Sequence, residues 1–243
     1  QWISYDYKNS KAPFQLVCLH HVGGSAALFQ KWTNKLSEKF EVLPIQLPGR
    51  EERSHEEFYS DNEKLARDLY DFLSNEINRP FAFFGHSLGG SLAVQLAMKL
   101  MVDRNLVASQ IVVSAIRAPG LENKLSDSFK IADLIEIPSS LLKSQEFMNM
   151  IKLRVDMDMK IVNSINYPPN LQIPMRLTAL SGASDKIAPS TMVKRWSEFV
   201  TPHNFQFKAF TGGHMYLNDH LDEIFKILEN GMTTKVLNKK TVG

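Results

Sequence analysis

Two kinds of apolar pattern alternate along the chain. One is short and continuous. It appears in FQLVCLH (Phe14–His20), in the first residues of EVLPIQLPGREER, in FAFF (Phe81–Phe84), in SQIVVSAI (Ser109–Ile116), in MRLTALSG and in NFQFKAFTGG. Runs of this length, rich in β-branched and aromatic residues, predict buried strands. The other pattern has helical spacing. AALFQKWTNKLSEKF carries Leu28, Trp32 and Leu36 on one face. Ser60 with Glu63 reads as a capping box opening a helix through Ile77. Helices are also predicted for the Ala- and Leu-rich stretch after Gly90, for STMVKRWSEFV and for LDEIFKILEN. Gly23-Gly24, Pro48-Gly49 and Pro119-Gly120 close the runs as turns.

Strands alternating with helices predict a mostly parallel sheet covered on both faces. The alternation breaks between Leu121 and about Ile165, where LLKSQEFMNMIKLRVDMDMKIVNSI reads as helix without a strong strand. The flanks hold no long linker, and the apolar residues need a surface to bury against. The segment is therefore predicted as an insertion over the carboxyl edge of the sheet, within a single domain spanning 1–243. The tail after Gly231 is polar and weakly patterned and is expected to fray.

Bulk properties act mainly by exclusion. At 243 residues the chain is long enough for a sizeable core. A net charge of +2 without any block of like charge points away from nucleic acid and from an anionic membrane surface. No apolar run has the length of a membrane span, and no signal peptide is visible. The first residue is Gln1, so trimming of the natural start is expected. A single cysteine, Cys18, forbids an internal disulfide and fits a cytoplasmic protein. A monomer is expected.

The chemistry begins at Gly85-His86-Ser87-Leu88-Gly89. A serine between an apolar strand and an apolar helix, with glycines two residues away on either side, has the form of a nucleophile elbow. The sharp turn lifts Ser87 clear of the sheet, and bulky neighbours would clash there. A glycine turn bearing a solvated serine would fit the five residues alone; the strand and helix around them favour the elbow. The following helix N-terminus favours a developing negative charge.

A serine hydroxyl needs a base to become a nucleophile, and in this arrangement the partners follow in the order serine, acid, histidine. His20 and His21 precede Ser87, His86 points elsewhere on the turn, His203 suits a surface, and His220 lies at the last helix. His214 sits in FTGGHMYL after a strand and a Gly-Gly turn, where a loop can carry imidazole to the nucleophile. Asp185, in LSGASDKIAP after another strand, is placed to fix the imidazole tautomer. Asp127, Asp133, Asp156 and Asp158 fall in the helical insertion, where surface or inter-helix pairs are expected. Two backbone amides are predicted to bind the oxyanion. They are Leu88, after the nucleophile, and Val22, in the glycine loop after the first strand. In the insertion Met148, Met150, Met157 and Met159 accompany Leu141, Leu142, Phe147, Ile151 and Leu153. Methionine suits an adaptable apolar surface, as a lid over a binding site requires, although ordinary helix packing also uses such residues. Met148, Met157 and Met215 are the candidate substrate contacts. GREER reads either as a solvated loop or as part of a partner interface.

These motifs together resemble the type II thioesterases, free-standing α/β-hydrolases that serve nonribosomal peptide and polyketide synthases. The similarity runs through LVCLHHVGGSAALFQKW, PIQLPGREER, FAFFGHSLGG, IKLRVDMDM, LSGASDKIAP and FTGGHMYL, nearly the whole chain. One departure is His20-His21-Val22, where the family often has proline, then an aromatic or histidine, then alanine. The resemblance implies an α/β-hydrolase fold with a helical lid. It implies hydrolysis of acyl groups from the phosphopantetheine arm of carrier proteins, to clear aberrant or stalled units in secondary-metabolite and antibiotic biosynthesis. Ser87, Asp185 and His214 take its triad positions, and Val22 and Leu88 its oxyanion positions. No metal or bound cofactor is implied; the partners are acyl or peptidyl carrier proteins and their acyl thioesters. Arg50, Arg53, Lys143 and Lys152 are candidates to steer an acidic carrier. A chain-releasing fatty-acid thioesterase or a carboxylesterase is the alternative among enzymes. A catalytically silent carrier-binding module is the alternative of another class, and the complete set of Ser87, Asp185 and His214 argues against it.

Overall fold

The computed structural model describes residues 2–4, 11–121, 131–135, 137 and 139–233. Its elements run in the order β1 (Phe14–Leu19), α1 (Gln30–Lys35), β2 (Phe40–Pro44), α2 (Asn62–Glu76), β3 (Phe81–His86), α3 (Leu88–Arg104), β4 (Gln110–Ser114), α4 (Ile131–Leu134), α5 (Gln145–Ser164), β5 (Leu177–Gly182), α6 (Ser190–Lys194), β6 (Phe205–Phe210) and α7 (Leu221–Thr233). The strands form one sheet in the order β2-β1-β3-β4-β5-β6, and every neighbouring pair is parallel. The expected parallel α/β sheet is present.

Alternation along the strands sorts side chains onto the two faces. Val17 and Leu19 of β1, Phe81 and Phe83 of β3, and Ile111 and Val113 of β4 bury against α2, α3 and α5. Their sequence neighbours Leu16, Cys18, Ala82, Phe84 and Val112 face the other way, against Trp32 of α1 and Ile224 and Leu228 of α7. Because both faces are covered, the strands read as continuous apolar runs rather than alternating ones. Among the described residues no helix is long and apolar enough to cross a membrane.

Two local expectations shift, and a third holds. Asp61, not Ser60, caps α2: its side chain accepts from Lys64 N. The stretch after the glycine loop is shorter than its pattern implies, with a 3₁₀ turn at Ala26–Phe29 ahead of α1. The helical segment between β4 and β5 holds α4 and α5, and α5 buries Ile151, Val155 and Ile161 against the sheet-face core. Asp127 and the side chain of Asp133 lie outside the described residues, as does the tail from 234 onward.

Candidate active site

Ser87 stands at the junction of β3 and α3 with φ 54° and ψ −119°, a region that L-residues rarely occupy. Its N–H donates to Ser114 O at 2.8 Å, and its carbonyl accepts from Gly90 N at 2.8 Å, so both sides of the turn are held. The flanking glycines are required by crowding. A Cβ on Gly85 would overlap the Gly89 carbonyl, and a Cβ on Gly89 would overlap the Leu19 carbonyl.

Asp185 follows β5 and is buried. One carboxylate oxygen accepts from the amides of Ile187 (2.8 Å) and Ala188 (3.0 Å). The other accepts from His214 Nδ1 at 2.9 Å. Burial pushes this carboxyl upward. The hydrogen bond and charge of His214, helped by the Ala188 and Ile187 amides, outweigh it and hold the carboxyl below its ordinary value. His214 follows β6, and the two loops are laced together by Ala183 N to Phe210 O (2.7 Å) and Ser184 N to Gly212 O (2.9 Å). With the Nδ1 proton committed to Asp185, the neutral ring presents a bare lone pair at Nε2. That atom is buried and has no partner among the described residues.

Sequence reasoning missed a second buried network under the histidine loop. His86 Nδ1 pairs with Ser114 Oγ at 2.8 Å, and Ser114 Oγ shares a hydrogen bond with Tyr216 OH at 2.6 Å. The His86 and His214 rings lie 5.2 Å apart. Burial first, then the charges of His214 and His21, push His86 well below the ordinary imidazole value, so it stays neutral. Tyr216, two residues after His214, thus ties the histidine loop to the end of β4. The signal available in the sequence was weak: a histidine beside the elbow serine and a tyrosine in FTGGHMYL.

Val22, Ser87 and Leu88 line one mostly apolar cavity of about 40 Å³ with Ala115, Leu134 and Met159. The two expected amide-bearing residues therefore meet the serine at one wall. Among the candidate substrate contacts, Met148, Met157 and Met215 are half-buried but do not line this cavity; Met159 of α5 does. Methionine at four nearby positions left the facing residue undetermined, and the seat of α5 decides it.

The predicted steering arginines are corrected. Arg50 is buried and forms a two-pronged ion pair with Asp158, with Nη1 to Oδ2 at 2.9 Å and Nη2 to Oδ1 at 2.7 Å. Arg53 is also buried, on Glu56 and the Gln46 carbonyl. Neither side chain is presented to a partner. Lys143 is exposed, and Lys152 is exposed and paired with Asp156 at 2.5 Å. Asp158 is thus a fully buried tie from α5 to the loop after β2, while Asp156 keeps the surface pairing expected of it.

A family model for the thioesterase domain matches residues 14–231. The chain belongs to the thioesterase family. This thioesterase is 30% identical to the thioesterase PikA5 of Streptomyces venezuelae, over 92% of this chain and 82% of that protein. It is also 30% identical to the medium-chain S-acyl fatty acid synthase thioesterase of Homo sapiens, over 92% of this chain and 88% of that one. Among solved structures it is similar to the type II thioesterase BorB from the borrelidin biosynthetic cluster. That similarity has a TM-score of 0.81 at 30% identity and covers 95% of this chain and 97% of BorB. The thioesterase is thus a hydrolase whose relatives include type II thioesterases of secondary metabolism.

Proposed function

We propose that this thioesterase hydrolyses acyl groups from the phosphopantetheine arm of synthase carrier proteins, with Ser87, His214 and Asp185 as its triad. The observation that carries the reading is the His214 Nδ1 to Asp185 hydrogen bond of 2.9 Å, which leaves Nε2 bare and buried, on a ring 5.2 Å from that of His86, the residue before the strained elbow serine. In the first half-reaction Ser87 Oγ attacks the thioester carbonyl carbon, and His214 Nε2 takes the hydroxyl proton. The amides of Val22 and Leu88 stabilise the tetrahedral oxyanion. The C–S bond then breaks, and the imidazolium returns its proton to the leaving thiolate. In the second half-reaction His214 deprotonates a water that attacks the acyl carbon; the bond to Ser87 Oγ breaks, the imidazolium returns its proton to Oγ, and the carboxylic acid leaves. Asp185 stays ionised throughout and stabilises the imidazolium.

All of this machinery comes from one chain, which suits a monomer, and a single buried cysteine, Cys18, suits the cytoplasm. Phosphopantetheine belongs to the substrate, and every step above uses the chain's own groups. The helical connection carrying α4 and α5 acts as the lid, a reading supported by Leu134 and Met159, which line the same cavity as Ser87. Editing within a secondary-metabolite synthase is favoured by the similarity, at a TM-score of 0.81, to BorB, a type II thioesterase of a biosynthetic cluster. Product release from a fatty-acid synthase is the second reading, supported by the equally identical human relative.

The test is kcat/KM for one acyl group presented on a carrier protein, on coenzyme A and on N-acetylcysteamine. Binding energy from remote parts of the substrate is realised in the transition state, so the carrier form should lead by roughly 10²-fold. Equal values on all three would remove the carrier protein from the reading.

A further inference from the structure

The loop bearing Val22 is held from outside its own strand. Four successive peptide groups, from His21–Val22 to Gly24–Ser25, are pinned. The His21 carbonyl, in the same peptide plane as Val22 N–H, accepts from Gly24 N at 3.0 Å and from His20 Nδ1 at 2.8 Å. The Val22 carbonyl accepts from His21 Nδ1 at 2.9 Å, and Gly23 N–H, on the other side of that plane, donates to Asp158 Oδ2 at 2.7 Å. The Gly24 carbonyl accepts from Arg50 Nη1 at 2.9 Å. A trans peptide is planar, so fixing its oxygen or its N–H fixes the plane, and two fixed planes on either side of Val22 set its backbone torsions.

Two of these anchors belong to the buried pair of Asp158 and Arg50, and Asp158 comes from α5. The helix is pressed onto the same loop by packing. Gly23 has φ +72°, and a Cβ there would lie 2.9 Å from Val155 Cγ2. One turn before Asp158 on the same face, Arg154 pairs with Glu51 at 3.5 Å. The contact therefore reads as a built joint between α5 and the loops after β1 and β2.

We infer that Asp158 is a positioning residue for the thioesterase reaction. Seated on α5 and charge-paired with Arg50, it holds Gly23 N–H and so aims the Val22 amide at the oxyanion, making the amide's alignment depend on α5 being in place. A carboxylate suits this task, because it serves both prongs of Arg50 and the amide at once. Displacing α5 would uncover the cavity and release the oxyanion donor together. This rests on the reading of Ser87 as nucleophile and Val22 as oxyanion donor.

The experiment compares two double variants that both remove the buried charges. Arg50→Met with Asp158→Leu also removes the acceptor for Gly23 N–H; Arg50→Met with Asp158→Asn keeps an amide oxygen for it. A merely structural pair would leave the two alike, since well-packed apolar replacements of a buried ion pair keep stability. Readouts are kcat and KM on an acyl-N-acetylcysteamine, thermal stability, and inhibition by an alkyl boronic acid, whose tetrahedral adduct on Ser87 places an oxygen at the oxyanion site. The Met/Leu variant should lose roughly 10²-fold in kcat and a similar factor in boronate affinity, with KM within about threefold. The Met/Asn variant should recover at least about tenfold of that kcat loss. Wild-type kcat and boronate affinity in Met/Leu would overturn the inference, as would equal impairment of both variants at equal melting temperature. Should Met/Leu not fold, Asp158→Glu, which keeps the charge but moves the acceptor by one methylene, is read the same way: kcat and boronate affinity must fall with KM held, and wild-type values overturn. Ser87→Ala, run alongside, separates the layers. Activity in Ser87→Ala would sink the triad reading itself, whereas an inert Ser87→Ala beside a fully active Met/Leu would sink only the role of Asp158.

Discussion

Asp185 and His214 meet through one buried hydrogen bond of 2.9 Å, and the remaining Asp185 oxygen is taken by two backbone amides. The carboxylate can rotate away from neither, so it dictates which imidazole nitrogen carries the proton. The two residues are 29 positions apart, on loops after adjacent strands β5 and β6.

That arrangement predicts the behaviour of Asp185→Asn. The amide keeps the shape of the carboxylate, but its NH₂ group can face Nδ1 and favour the tautomer with the proton on Nε2. The lone pair needed to accept the Ser87 proton is then lost. Turnover should fall by about 10⁴-fold at neutral pH with the fold intact. Near-normal kcat in a well-folded Asp185→Asn protein would show that another carboxylate fills the role.

Stability should decline with acidity before carboxylates titrate. Burial, the largest cause, lowers His21 to about 4, and it holds His20 and His86 well below their usual value. An unfolded histidine takes a proton near pH 6.5. Between that pH and the folded value the unfolded state binds more protons, so stability is full above about 6.5 and is lost as pH falls. For His21 alone the window runs from about 6.5 to about 4 and carries on the order of 3 kcal/mol. Melting temperatures from pH 7.5 to 4 should fall steeply in the wild type and less steeply in His21→Gln. Parallel curves would show that His21 is not held neutral.

Gly85→Ala tests the crowding at the elbow without touching the serine. The added methyl would meet the Gly89 carbonyl, a backbone atom that cannot swing aside. A loss of about 4 kcal/mol or more, or failure to fold, is expected. Gly213→Ala is the control, because a Cβ there meets nothing within 4 Å. Chemical denaturation that ranks the two alike would contradict the packing at this turn.

Amide exchange should divide α5 into two halves. Its first turns expose Met150, Lys152 and Leu153, whereas Arg154, Val155, Asp158 and Ile161 are buried. Amides over 146–152 should exchange well before those over 155–162, and both before the Phe81–Phe84 strand, since local opening follows the density of buried contacts. Uniform protection from 146 to 162 would mean that the helix opens only as a unit.

Strand and helix placement was legible from Phe14 onward because covered parallel strands leave continuous apolar runs and their helices leave spaced ones. The elbow was legible because its pattern is local, five residues from Gly85 to Gly89, although only the Gly85 clash lies within the turn; Gly89 is crowded by the Leu19 carbonyl of neighbouring β1. Asp185 and His214 were legible because both follow strands in a fixed order. Their loops must converge at the carboxyl edge of a parallel sheet. The roles of Arg50 and Asp158 were not legible. In sequence each is a charge in a charged stretch, GREER and VDMDM, and such residues are ordinarily solvated. Their partners stand 108 positions apart, and only the seat of α5 against the loops after β1 and β2 removes both from water. Met159 rather than Met148 or Met157 reaches the cavity for the same reason, since a helix's rotation about its axis is set by what it packs on. The sequence by itself thus determined what local sterics and strand order can determine: the parallel fold, the strained serine, and the loops that bring Asp185 and His214 together. The tertiary structure alone decided which charges are buried, which helix face meets the serine, and what holds the Val22 loop. Those depend on contacts between segments far apart in the chain, whose burial turns an ordinary aspartate into a fixed hydrogen-bond acceptor.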